Sequence, residues 1–194
     1  MVTEKDFVKF TVSDEQWELG YQIGMARHKT KNKYESTRNL SKINTHVCGA
    51  VAEVVFGQWQ GFPIDTSIHK TKGDKFDFIS RCNETTDVKH SSFAGPDIEL
   101  KEKVENIQKG KVKDIYVLCR AVISGRRVSG QRVKEVHVIG WISKEAYILD
   151  ENEREPYVPD DERYPWNYVV GLDRLEAFVD KAYGKEVEPI ETWG

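Results

Sequence analysis

No apolar run in this chain of 194 residues approaches the roughly 20 consecutive apolar positions that a bilayer span needs, so the sequence offers no membrane-spanning helix and no membrane partner is expected. Cysteine is scarce as well. Cys48, Cys82 and Cys119 are an odd number at wide spacing, which argues against a disulfide framework and suits reduced thiols. The opening stretch MVTEKDFVKF lacks the apolar core and small-residue cleavage site of a secretory leader, and a cytoplasmic location is the expectation. A dominant charge of one sign is missing too: 29 Lys and Arg stand against 32 Asp and Glu, a net charge of -3, so there is no overall attraction to nucleic acid. Internal repeats, low-complexity tracts, helix-turn-helix patterns, zinc fingers and RNA-binding motifs are all absent, and base-specific readout is not predicted. With 39% hydrophobic and 31% charged residues, the composition is that of an ordinary globular protein, and residues 1–194 are read as a single domain.

The charge is unevenly spread. Between Arg27 and Lys42, six Lys and Arg face one acid, while Asp150 to Arg163 carries seven acids and two arginines. The near-neutral total therefore hides a polarised surface, which permits a phosphate-tracking patch.

Phe7 to Val12 reads as a strand or extended arm, and Ser13 to Gln16 has the spacing of a capping box, so a helix is expected over about 13–28. Residues 28–39, HKTKNKYESTRN, read as a charged connection or as a segment that orders on a partner. Ile43 to Gln60 carries the clearest helical pattern: Ile43, Val47, Ala50, Val51, Val54 and Val55 share one broad face. Glu53 lies inside it, with Gly49 and Gly57 one turn to either side. Glycines cost helix stability, about 1 kcal/mol each, so the pair suggests close backbone approach to another layer. Ile98 to Gln108 reads as an amphipathic helix, and Ile115–Ser124 and Val133–Ile142 as strong strands joined by the turn GRRVSGQR. An irregular, proline-bearing segment from Asp150 and a final helix over Leu172–Tyr183, burying Leu175, Phe178, Val179 and Ala182, complete an α/β order.

Gly73 to Ser92, GDKFDFISRCNETTDVKHSS, holds the most chemistry. Lys75 to Ile79 and Thr86 to Lys89 read as short strands of a hairpin, each with one carboxylate among apolar or β-branched neighbours. Side chains alternate along a strand, so Asp87 and Lys89 project to one side and Val88 to the other. Two carboxylates and a lysine at one sheet edge could seat a divalent cation with an ammonium beside it. The same residues would also satisfy a cross-strand salt bridge, and Glu53 could simply snorkel from the rim of its apolar stripe.

The order of these parts, a helix with Glu53, a strand with Asp77, a strand with Asp87-Val88-Lys89, then a helix and further strands, resembles the PD-(D/E)xK superfamily of restriction-endonuclease-like nucleases. The resemblance covers about 43–142, and the later GWISKEAY stretch and tail are similar to what phage-encoded members append. It implies a mixed central sheet flanked by helices, with the acid-x-lysine on a central strand and the other aspartate on the strand before it. Here that aspartate follows Phe76 in place of proline. Asp74 competes for the role, but it lies in a turn, whereas Asp77 stands between two phenylalanines. Pro96-Asp97 and Pro159-Asp160 fall after Lys89, and Glu99-Leu100-Lys101 falls in a helical pattern, where positions two apart do not share a face.

The resemblance further implies Mg²⁺, with Mn²⁺ as a substitute, held by Glu53, Asp77, Asp87 and the Val88 carbonyl, because Mg²⁺ favours hard oxygen donors. Lys89 would be the catalytic cation. DNA is the implied substrate, a homodimer is an expectation, and a catalytically inactive module that binds nucleic acid or a partner protein is the alternative. Candidate phosphate contacts are Lys29, Lys31, Lys33 and Arg38 of the basic run, His90 and Ser91 after the motif, and Arg126, Arg127 and Arg132 in the strand-connecting turn.

Overall fold

The computed structural model describes residues 2–31, 40–66, 77–80, 82–91, 98–124, 132–147 and 167–178. A first strand, β1 (Val8–Thr11), leads through Ser13 into helix α1 (Asp14–Lys31). Ser13 Oγ accepts the Gln16 N–H at 3.1 Å and Gln16 Oε1 accepts the Ser13 N–H at 3.0 Å. This is the capping box expected from the spacing, and it satisfies donors the first turn would otherwise orphan.

Helix α2 (Leu40–Gln60) follows. Its Val47, Cys48, Val51, Ala52, Val55 and Phe56 enter the main core, while Ala50 and Val54 pack with Ile23 of α1. The two helices approach backbone to backbone. A Cβ on Gly24 would lie 2.6 Å from Val47 Cα, and one on Gly20 2.8 Å from Val51 Cα. Gly57 also marks a close approach, since a Cβ there would meet Ile64 Cδ1 at 2.5 Å and Phe78 at 2.8 Å, but Gly49 has open space. The close-approach argument thus holds on one side of Glu53 only.

The remaining strands are β2 (Phe78–Ile79), β3 (Thr85–Ser91), β4 (Leu100–Lys103), β5 (Ile115–Ser124), β6 (Arg132–Ser143) and β7 (Asn167–Val170), with a short helix α3 (Val104–Gln108) after β4. Five of the strands form a mixed sheet in the order β1-β6-β5-β3-β2. Only β3 and β5 run parallel, with Asp87 beside Tyr116 and Lys89 beside Leu118; the other pairs are antiparallel. A parallel pair needs a crossover, and β4 and α3 lie within it. The α1–α2 pair covers one face, against Val88, Val117, Cys119 and Val138. On the other face Tyr116, Leu118, Ile139 and Ile142 pack with Ile98, Leu100, Tyr147, Val170 and Leu175. The architecture is mixed α/β, as expected.

Two expected helices are corrected. Ile98–Gln108 is not one helix: residues 100–103 form β4, paired antiparallel with β7, and only 104–108 are helical. Ile98 and Leu100 are buried and Glu102 is the next inward position, a period of two that the apolar residues at 104 and 107 disguised as helical. Glu99 and Lys101 therefore do share a face and form a 3.1 Å pair, exposed on the outer side of β4. The helix expected over Leu172–Tyr183 is not formed in its described part, residues 172–178: a single 3₁₀ turn, Leu172–Arg174, precedes extended chain whose Glu176 bridges Trp141 of β6 by backbone hydrogen bonds of 2.8 and 2.9 Å. Leu175 is buried and Phe178 packs on Phe56 and Trp59, so both reach the core from extended chain. The main chain of the tail seals the sheet at Gly140, where a Cβ would lie 2.7 Å from the Glu176 carbonyl. Residues Gly73 to Phe76, the acidic segment from Asp150 through 166, and Val179 onward lie outside the described residues.

Candidate functional site

Ser80 and Glu84 close the β2–β3 hairpin, the Ser80 N–H donating to the Glu84 carbonyl at 2.8 Å. Ser80 Oγ accepts the N–H groups of Cys82 and Glu84 at 3.2 and 3.1 Å, and Asn83 takes the left-handed conformation, φ 62°, which asparagine tolerates better than most residues. Phe78 and Ile79 then lie opposite Thr86 and Thr85. At the base of β3, Asp114 Oδ2 accepts both the N–H and the hydroxyl of Thr85 at 2.8 Å. Those bonds, backbone first, hold the Asp114 carboxyl below its usual range and tie β3 to the start of β5.

Alternation along β3 sets the site. Val88 is buried in the core under α2, which puts Thr86 and His90 on that side and Asp87, Lys89 and Ser91 on the other. Phe78 anchors β2 in the same core, in contact with Phe56 and Phe62, and the residue before it, Asp77, comes to the sheet edge. The Asp77 N–H donates to the Thr86 carbonyl at 3.0 Å, and Asp77 Oδ2 accepts the Val88 N–H at 2.7 Å. A side-chain carboxylate thus takes the place of the next ladder partner. N–H and C=O of one strand residue face the same neighbour, so the Val88 carbonyl is directed to this edge as well.

Four carboxylates and two cations gather around the fork. From α2, Glu53 is paired with Arg27 of α1, both oxygens within hydrogen bond reach of Nη1 at 2.7 and 2.6 Å. From the opposite side, Lys89 Nζ lies 2.5 Å from Asp87 Oδ2 and 3.1 Å from Glu102 Oε2 of β4. Glu102, only 5% exposed at its side chain, is held on its other oxygen, where Oε1 accepts from Lys103 N–H at 2.8 Å and Asn106 Nδ2 at 2.7 Å. The Tyr116 ring lies beneath the ammonium, 5.9 Å from Nζ to the centroid.

Burial pushes the Asp77 pKa up, and the charges of Glu53 and Asp87 push it further. The Val88 N–H and Arg27 pull the other way without cancelling them, so it lies well above the usual carboxylate range. Burial works against the Lys89 charge, yet Asp87 and Glu102 outweigh it and hold its pKa above the ordinary value. Burial likewise opposes ionisation of Glu102, but Lys89, Asn106 and the Lys103 N–H hold it below its usual range. Asp77 is thus strained electrostatically by two acids, whereas Lys89 and Glu102 satisfy each other.

Of the residues read from the sequence, Glu53, Asp77, Asp87, Val88 and Lys89 come together at this fork. Glu102 was missed; its one signal was the alternation from Ile98 through Leu100. Among the described residues no three acid, histidine or cysteine side chains already form a closed metal-binding cluster. The donors nonetheless suit a hard cation: oxygen atoms only, in negative excess over Arg27 and Lys89, with Asp77 repelled by two neighbours. Lys29 is exposed near the end of α1. Ser91 is buried, and the enclosed Nε2 of His90 has no hydrogen bond, burial taking the His90 pKa down to about 4. Arg132 pairs with Asp14 and lies over Trp17, 5.8 Å from the ring centroid. Lys33, Arg38, Arg126, Arg127, Asp74 and the side chain of Lys31 lie outside the described residues. Comparison of the chain with protein-family models, curated proteins and solved structures returns no match.

Proposed function

We propose that this protein is a Mg²⁺-dependent deoxyribonuclease of the PD-(D/E)xK type, hydrolysing phosphodiester bonds in DNA. The observation that carries the proposal is Asp77, half-buried at the fork of β2 and β3 with Glu53 and Asp87 near it, where its ionisation is opposed by both. A cation arriving there relieves that repulsion. Asp77, Asp87 and the Val88 carbonyl would hold the metal, with Glu53 available to a second ion. Bound Mg²⁺, or Mn²⁺ in its place, would supply an activated water and neutralise charge developing on the phosphoryl oxygens.

The chain's own groups do the rest. The Val88 N–H fixes Asp77 Oδ2 at 2.7 Å, so one ligand oxygen is oriented in advance. Lys89 stays protonated, its charge supported by two acids, and its ammonium stands beside Asp87 to orient the attacking water or to stabilise negative charge in the transition state. Lys29 and the neighbouring basic residues of the sequence would track the DNA backbone. Location in the cytoplasm and pairing into a homodimer that cuts both strands belong to the same proposal.

The bidentate Arg27–Glu53 pair favours a second function, a nuclease-fold module that binds nucleic acid or a protein without cutting, because each acid with a protein cation has less need of metal. Plasmid and single-stranded DNA incubated with the purified protein, in Mg²⁺ and in EDTA, separate the two. Cleavage in Mg²⁺ only is expected. DNA retention with no cleavage in either Mg²⁺ or Mn²⁺ leaves the binding module, and cutting that survives Asp87→Ala sinks the site assignment.

A further inference from the structure

Lys89 presents a conflict that the nuclease proposal leaves unresolved. Its ammonium lies 2.5 Å from Asp87, the carboxylate a metal would need, and its side chain is only 29% exposed. A cation can take both oxygens of Asp87 only if Lys89 gives up Oδ2. In a partly buried setting an ammonium left without any counter-ion costs several kcal/mol, and without a second acid that cost would be charged against metal binding.

Glu102 removes the conflict. It comes from a different strand, β4, and offers Lys89 a second carboxylate oxygen at 3.1 Å. Its other oxygen is fastened by Asn106 Nδ2 and Lys103 N–H, so Glu102 cannot follow the metal and remains where Lys89 can lean on it. The Tyr116 ring below the ammonium adds a further favourable surface. Exposed Glu99 and Lys101 on the outer side of the same strand make the contrast plain: they pair with each other, whereas Glu102, facing inward, has its charge directed at Lys89.

We infer that Glu102 is a positioning residue that holds Lys89 when Asp87 turns to a divalent cation, and so keeps Asp87 available for that cation. The inference rests on the metal site proposed above. It assigns no contact between Glu102 and metal or DNA; its whole effect passes through Lys89.

Mn²⁺ titration by calorimetry on the full chain, without DNA, tests it in a four-protein cycle: wild type, Glu102→Gln, Lys89→Met and the double variant, with circular dichroism to verify folding. Glu102→Gln is expected to weaken Mn²⁺ binding about tenfold. In the Lys89→Met background the same substitution should change it less than about twofold, because no ammonium competes for Asp87. Should Glu102→Gln not fold, Asn106→Ala loosens Glu102 by one hydrogen bond and should weaken binding about twofold, again only when Lys89 is present. A loss that persists undiminished without Lys89 would mean simple long-range attraction and overturn the inference, as would unchanged affinity in Glu102→Gln. Asp87→Asn separates this failure from that of the site: if Asp87→Asn abolishes binding while Glu102→Gln leaves it intact, only the role of Glu102 falls. If wild type binds no Mn²⁺, the metal site falls and the inference with it.

Discussion

On the α2 side of β3, Glu53 meets Arg27, with both carboxylate oxygens within 2.7 Å of the same guanidinium nitrogen. On the opposite side Lys89 is divided between Asp87 and Glu102, and Asp77 stands at the edge between the two systems. The first pair is balanced and spans two helices, so its removal should be felt in the fold. The second has more acid than base, and an excess of buried negative charge is of no use to stability. The contrast locates chemistry at the fork and support at the helix pair.

The largest expected effect breaks the fork alone. Asp87→Ala or Lys89→Ala should lower Mg²⁺-dependent plasmid cleavage by roughly a thousandfold, and in Asp87→Ala, which leaves Lys89 its pairing with Glu102, the urea midpoint stays within the range of wild type or rises. A parallel collapse of stability would erase the distinction between the two sides. On the helix side the order reverses: Arg27→Met strands the Glu53 carboxylate and should cost about 3 kcal/mol in urea unfolding, much of it regained in Arg27→Met with Glu53→Gln. If the single and double variants are equally destabilised, the pair is not a balanced unit.

Protonation sharpens the comparison next. The folded pKa of His90 is lowered to about 4 by burial, below the 6.5 of a free histidine, so the unfolded chain binds the extra proton between those values. Stability from a neutral His90 is present above about pH 6.5 and is lost as pH falls towards 4, by about 2 kcal/mol after allowance for residual exposure. His90→Gln should flatten that part of the urea-stability profile. Asp77 acts with the opposite sign: its folded pKa lies above its unfolded value, so metal-free protein loses stability as pH rises through that interval. Asp77→Asn should therefore be more resistant to urea than wild type at neutral pH, and no more resistant below the unfolded carboxylate pKa. The smallest effect belongs to the surface pair. Arg132→Ala breaks a contact to an exposed Asp14 and should cost under about 1 kcal/mol, readable as a shift in urea midpoint that salt reduces.

The legible and illegible parts of the site differ in where their information lies. Glu53 was readable because Val47, Val51 and Val55 mark the buried face of α2 and place it at the rim. Asp87, Val88 and Lys89 were readable because strand alternation needs only neighbours in sequence. Glu102 was not, because β4 is four residues long and runs directly into α3, so apolar residues at 98, 100, 104 and 107 mix two periods within one short window. Reading that window as helix also dismissed Glu99-Leu100-Lys101 for the wrong reason: it is set aside by exposure, not by helical geometry. The final segment misled by its three-residue spacing, since Leu175 is buried and Phe178 partly buried by an extended chain that uses the backbone of β6 where a helix would use its own.

Local chemistry in the chain was enough to specify the capping box at Ser13, the valine face of α2, the β5 and β6 strands and the alternation that separates Asp87 and Lys89 from Val88. Each depends on interactions among residues a few positions apart. The tertiary structure alone decided that Asp77 would cap the Val88 N–H, that Arg27 would meet Glu53 across 26 residues of sequence, and that Lys89 would face Glu102 from another strand. Charges partner by distance in space, and only packing the two faces of the sheet brings these groups within reach of one another.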